Sequence, residues 1–112
     1  MTREADLYPP VKAYLENQGY LVKGEVGAAD VMALRGEEPP VIVELKVSFS
    51  LTLFHQGVDR LAATDSVYLC VKRPKGKRAL RDNLRLARRL GLGVVTVRDD
   101  GPGIPRALRE KI

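Results

Sequence analysis

Apolar residues along the chain fall into blocks whose spacing switches between helical and extended periods. Val11, Tyr14 and Leu15 recur at helical spacing behind Pro9 and Pro10, which suit a helix's first turn, and Gly19 closes the block, so a helix is predicted over 8–18. Extended blocks follow over 20–25, 30–35 and 40–48, parted by Gly24, Gly27 and the run Gly36-Glu37-Glu38-Pro39-Pro40. The third block, Val-Ile-Val-Glu-Leu-Lys-Val, is aliphatic on both faces, which predicts a central strand covered on both sides. Leu51, Phe54, Val58 and Leu61 return to helical spacing over 51–63, and Gly57 inside that helix implies close approach to a sheet. A strand over 66–71, a helix over 79–90 stopped by Gly91 and a strand over 92–98 complete the pattern. The order α-β-β-β-α-β-α-β predicts an α/β domain over 1–98, with a mixed central sheet flanked by helices. Residues 99–112 open on a Gly-Pro-Gly turn and are expected to form a tail or a short helix.

Composition narrows the function classes. The chain has 112 residues, 45% of them hydrophobic and 29% charged, the balance of one globular domain with a modest core. No apolar run approaches the roughly 20 residues needed to cross a bilayer, and the start lacks a leader-like apolar stretch. A cytoplasmic protein with no membrane partner is expected. Cys70 is the only cysteine, which rules out an intramolecular disulfide or a cysteine metal cluster, and its apolar setting predicts a core residue. The net charge of +5 is unevenly spread: residues 72–89 hold nine Lys or Arg against one acid, Asp82. That local basic surface suits a polyanion.

Candidate chemistry sits on the most apolar strand. Glu44 and Lys46 are two apart there, so strand alternation predicts side chains on one face. Both are expensive to bury unpaired. Asp30 heads the neighbouring strand after Ala28 and Ala29, fourteen positions earlier, which allows a strand, a turn and a return. The two carboxylates are then expected side by side at one rim of the sheet. Hard oxygen ligands of this kind suit Mg²⁺ or Mn²⁺ completed by substrate phosphate, with Lys46 opposing the charge that develops in phosphoryl transfer. The plainer alternative makes Glu44 and Lys46 a solvated pair on an edge strand and Asp30 a turn residue.

The helix, the strand with Asp30, the strand with Glu44-Leu45-Lys46 and the following helix with Gln56 together resemble the PD-(D/E)XK nuclease superfamily, the restriction-endonuclease-like fold. The stretches Asp-Leu-Tyr-Pro-Pro-Val-Lys, Gln-Gly-Tyr-Leu-Val-Lys-Gly-Glu-Val-Gly, Val-Ile-Val-Glu-Leu-Lys and Gln-Gly-Val-Asp-Arg-Leu are similar to one branch, an uncharacterised bacterial family described as phosphodiesterases. The resemblance spans residues 4 to 98. It implies an α-β-β-β-α-β core, Asp30 and Glu44 as metal ligands, the Leu45 carbonyl as a further ligand, and Lys46 as the catalytic lysine. Glu4 corresponds to the superfamily's acidic residue on the first helix, with Glu16 as its rival. Gln56 corresponds to the auxiliary polar residue. Ala29 replaces the proline of the namesake motif, a position that varies freely there.

Other residues have two readings each. Glu25 is an outer carboxylate or a third ligand, or else an exposed strand-end acid. Gln56 and Arg60 share a helical face; Arg60 touches phosphate or pairs with a carboxylate, or the face is simply solvated. His55 is assigned to a surface ion pair with Asp59, four residues on. Arg78, Arg81, Arg85 and Arg88 form one stripe on the third helix, with Leu80, Leu84, Ala87 and Gly91 along another, and the stripe is read as a phosphate contact over a merely solvated face. The six Tyr and Phe all lie outside the basic segment, which argues against base stacking there. The expected function is a metal-dependent phosphodiesterase acting on nucleic acid, DNA in preference to RNA, with a homodimer or partner domain enlarging its surface. The alternatives are an inactive nuclease-like nucleic-acid-binding module and an interaction domain for an acidic partner.

Overall fold

A computed structural model describes residues 3–27 and 29–98. After a short 3-10 turn, Glu4–Leu7, the elements run α1 (Tyr8–Glu16), β1 (Leu21–Val26), β2 (Ala29–Leu34), β3 (Val41–Leu45), α2 (Leu51–Arg60), β4 (Ser66–Lys72), α3 (Lys77–Leu90) and β5 (Gly93–Val97). Their order is the one the apolar pattern predicts. The five strands form one mixed sheet in sequence order, with β1, β2 and β3 antiparallel and β3, β4 and β5 parallel.

The pleat sorts the core into two layers. Val31, Val41, Val43, Leu45 and Tyr68 face Leu7 of the 3-10 turn and Val11 and Leu15 of α1. Ile42, Val67, Leu69 and Val71 face Leu53 and Phe54 of α2 and Ala87 of α3. β3 is thus the central strand, covered on both sides, with all five side chains buried. Cys70 is fully buried in the first layer, where desolvation pushes its thiol up to about 12, so it packs as a small hydrophobe.

Element ends are set by local chemistry. Ser50 caps α2 by accepting from the Leu53 amide at 3.1 Å. α3 stops at Gly91, whose φ of 80° is the left-handed C-cap that glycine adopts without steric cost. Gly57 explains how α2 lies so close to the sheet: a Cβ there would sit 2.7 Å from Leu69 Cδ2 and 3.0 Å from Leu92 Cδ1. β3 is shorter than its apolar run predicts, ending at Leu45 rather than at 48, and that early ending shapes the site. Among the described residues no helix is long and apolar enough to cross a membrane. The tail expected over 99–112 lies outside the described residues.

Candidate active site

The β2–β3 ladder pairs Ala33 with Val41, Met32 with Ile42 and Val31 with Val43, and then stops. Asp30 and Glu44 come next, and their side chains take over from the backbone. The Asp30 amide donates to Glu44 Oε2 at 3.0 Å, and the Leu45 amide donates to Asp30 Oδ2 at 2.8 Å. β3 meanwhile stays with β4, pairing Glu44 with Leu69 and Leu45 with Cys70, and the Lys46 amide donates to the Cys70 carbonyl at 3.0 Å. The central strand therefore parts from β2 while keeping β4, and two carboxylates bridge the notch that opens. Each satisfies an amide that the broken ladder leaves without a partner.

Glu44 is 1% exposed, which excludes the reading of a solvated edge-strand pair. Burial, first, and the neighbouring Asp30 charge raise its pKa, against the Asp30 amide and the Arg60 guanidinium, which lower it. Arg60 Nε, from the last residue of α2, lies 3.5 Å from Glu44 Oε1. That nitrogen is buried and makes no hydrogen bond. The carboxylate partner foreseen as one option for Arg60 is therefore Glu44.

In front of the notch lies a cleft of about 530 Å³, lined by Glu4, Tyr8, Glu25, Asp30 and Leu45 among others. Glu25 stands at a gap in the β1–β2 ladder, between the pairs Gly24–Val31 and Val26–Ala29, where the unchanged register sets it opposite Asp30, and its φ is 52°. A non-glycine residue held in the left-handed region stores strain of about 1–3 kcal/mol, a feature concentrated at functional sites.

Lys46 departs from expectation. Strand alternation would put its head group beside that of Glu44. Instead Glu44 meets α2, while Lys46 Nζ reaches to 4.0 Å from Glu4 Oε2, in front of α1. β3 has ended one residue earlier, so the pleat no longer governs Lys46. Glu4 and Asp30 line the cleft, Lys46 comes to it only through its approach to Glu4, and Glu44 lies behind Asp30 and does not line it. Gln56 is half-buried one turn before Arg60 and does not line the cleft. His55 and Asp59 are exposed and form no ion pair, so that assignment fails.

On α3, Arg81, Arg85 and Arg88 join Lys77, Leu80 and Leu84 around a shallow groove of about 320 Å³, which Arg78 does not line. This groove belongs to the α2–α3 layer and the cleft to the α1 layer, because successive right-handed crossovers from β3 to β5 place both later helices on one face. At the sheet's carboxyl edge, where the basic loop leaves β4 for α3, the Lys72 amide donates to the Val47 carbonyl at 3.0 Å.

The donor set suits a hard divalent cation. Asp30 and Glu44 each commit one oxygen to an amide, and Arg60 Nε is an orphaned cationic donor standing near the second oxygen of Glu44. Among the described residues no three His, Cys, Asp or Glu side chains close into a ready-made cage, so waters or substrate oxygens would complete the coordination. Residue spacing allowed Asp30 and Glu44 to lie side by side, but neither their exchange of amide hydrogen bonds nor the choice of Glu44 as the partner of Arg60 follows from it. Comparison with protein-family models, with curated proteins and with solved structures gives no match, so the reading rests on the fold and on this notch.

Proposed function

We propose that the chain is a Mg²⁺- or Mn²⁺-dependent phosphodiesterase that hydrolyses nucleic acid, with DNA as the preferred substrate, on a restriction-endonuclease-like core. The observation that carries this reading is the pair of carboxylates, Asp30 and Glu44, fixed by each other's strands where β2 and β3 part. Asp30, Glu44, the Leu45 carbonyl and Glu4 would hold the cation. When bound, it supplies a water acidic enough to attack at neutral pH and offsets charge on the phosphoryl oxygens. Lys46, whose ammonium lies 4.0 Å from the cleft residue Glu4, is the cation that stabilises negative charge gathering on the reacting phosphate. Arg81, Arg85 and Arg88, which line the α3 groove, hold phosphates of the same nucleic acid beyond the cleft, which makes affinity steeply salt-dependent; Gln56 and Arg78, expected in these roles, stand outside the cleft and the groove.

The test is cleavage of supercoiled plasmid and of short DNA and RNA duplexes with Mn²⁺. Activity is expected to vanish in chelator and to fall by roughly 100-fold or more in Asp30→Ala and in Lys46→Ala. Undiminished cleavage by either variant removes the site assignment. One observation favours a second reading, a binding module without catalysis: Glu44 already has Arg60 as its counter-ion and Lys46 already lies near Glu4. That module would bind duplex with the same salt dependence and cleave nothing.

A further inference from the structure

Arg60 does nothing in the hydrolysis outlined above, yet its position is unusual. Its Nε is buried, donates no hydrogen bond, and stands 3.5 Å from Glu44 Oε1. A strong arginine–carboxylate pair makes two parallel bonds near 2.8 Å. Here the charge is in place and the contact is stretched: at 3.5 Å Arg60 still lowers the Glu44 pKa, but its Nε falls short of hydrogen-bond geometry. Leaving such a donor unmet in the interior is costly, so the arrangement is poised for a partner to complete it.

The route out is also present. The Arg60 side chain is 23% exposed although its Nε is buried, so part of it reaches solvent. It closes α2, held close to the sheet at Gly57 one turn earlier. Glu44 has the opposite situation: at 2% side-chain exposure, and with Asp30 beside it, its charge has no other cation at hand among the described residues.

We propose that Arg60 is the resting counter-ion of the notch: its guanidinium occupies the electrostatic place of the divalent cation at Glu44 Oε1, and gives it up when a substrate phosphate draws the guanidinium outward. This rests on the reading of Asp30 and Glu44 as cation ligands. Arg60 is then a positioning residue acting through Glu44, and it couples cation binding to substrate binding. A cation alone must displace a fixed positive charge, whereas a cation arriving with a phosphodiester meets a free carboxylate. Such coupling is reciprocal.

The experiment is calorimetric titration of the full chain with Mn²⁺ alone, comparing wild type, Arg60→Gln, Arg60→Met and Arg60→Lys, each also with Asp30→Ala. Gln and Met remove the charge, and Met retains the stem's packing should Gln fail to fold, which melts in chelator would reveal. Both neutral variants are expected to bind Mn²⁺ about tenfold more tightly than wild type, and Lys within about twofold of it. In the Lys46→Ala background, where no turnover is expected, a short DNA duplex should tighten Mn²⁺ binding, and adding Arg60→Gln should abolish that gain. If wild type binds Mn²⁺ through Asp30 but the neutral variants bind equally or more weakly, the counter-ion role is overturned and the cation site stands. Equal duplex gains with and without Arg60 would overturn the coupling to phosphate. Absence of Asp30-dependent binding in every protein overturns the cation site and the inference together.

Discussion

Two arginine–glutamate pairs in this fold invert the usual relation between geometry and consequence. Arg35 grips Glu38 with both arms, Nε to Oε2 at 2.7 Å and the second nitrogen to Oε1 at 3.0 Å, on the surface between β2 and β3. Arg60 merely approaches Glu44, at 3.5 Å with no hydrogen bond, in the interior. The better-made pair matters less to the fold, because water screens it and would solvate either partner alone. The poorer pair matters more, because Glu44 has no water to fall back on, Arg60 has little, and the glutamate also holds two strands together.

The largest break of this comparison is Glu44→Ala. It leaves the Asp30 amide without an acceptor, strands the Arg60 charge and opens space beside the core, so a loss of about 2–4 kcal/mol is expected in urea melts. Glu38→Ala, on the same melts, should leave the midpoint unchanged. Equal effects from the two would mean that the notch is as open to solvent as the surface. Glu44→Gln still offers an oxygen to the Asp30 amide and should recover most of the loss.

Next in size is Gly57→Val, which tests whether α2's close seat on the sheet sustains the Arg60 contact. Leu69 and Leu92 are fully packed, so they cannot yield freely to a new side chain. Overpacking should cost about 1–3 kcal/mol, more than the few tenths recovered from helix propensity. Lifting α2 should also shrink the coupling between Arg60 and Glu44 in a double-mutant cycle, while the Arg35–Glu38 cycle stays as it was.

The same contrast marks how much of the molecule could be read from residues alone. Element order, the central place of β3 and the close seat of Gly57 follow from apolar periodicity, because burial acts on every residue of an element at once. The approach of Asp30 and Glu44 was legible because an acid inside Val-Ile-Val-Glu-Leu needs a reason to be there. The early end of β3 was not, since Lys46-Val47-Ser48 extends the pattern and only the departure from β2 reveals the end. That departure is why Lys46 turned to Glu4. Nor did spacing assign Arg60 to Glu44, because a helix's polar face looks the same whether it meets water or a carboxylate.

Acidity separates the two glutamates more finely still. Glu44 is raised above the ordinary 4.5, chiefly by burial. Glu38 is lowered below 4.5, chiefly by the Arg35 hydrogen bond. The linkage signs are opposite. Glu44's contribution is fully present below the ordinary glutamate range and is lost as pH rises through its raised value. Without divalent cation, wild-type stability should therefore fall relative to Glu44→Gln from about pH 4.5 upward. Added Mn²⁺ should erase the fall, because a cation favours the carboxylate.

Glu38 supplies the smallest effect and the sharpest control. Its contribution is present above the ordinary range and disappears as pH drops through its lowered value, so wild type should lose ground to Glu38→Gln only in acid. Because the pair is exposed, even that difference should vanish at about 1 M salt, where the Debye length is roughly 3 Å. The Glu44 profile, set by burial, should keep its shape in the same salt. Should salt flatten both profiles alike, screening would be reaching Glu44, and its raised pKa would have to be assigned to the neighbouring Asp30 charge rather than to burial.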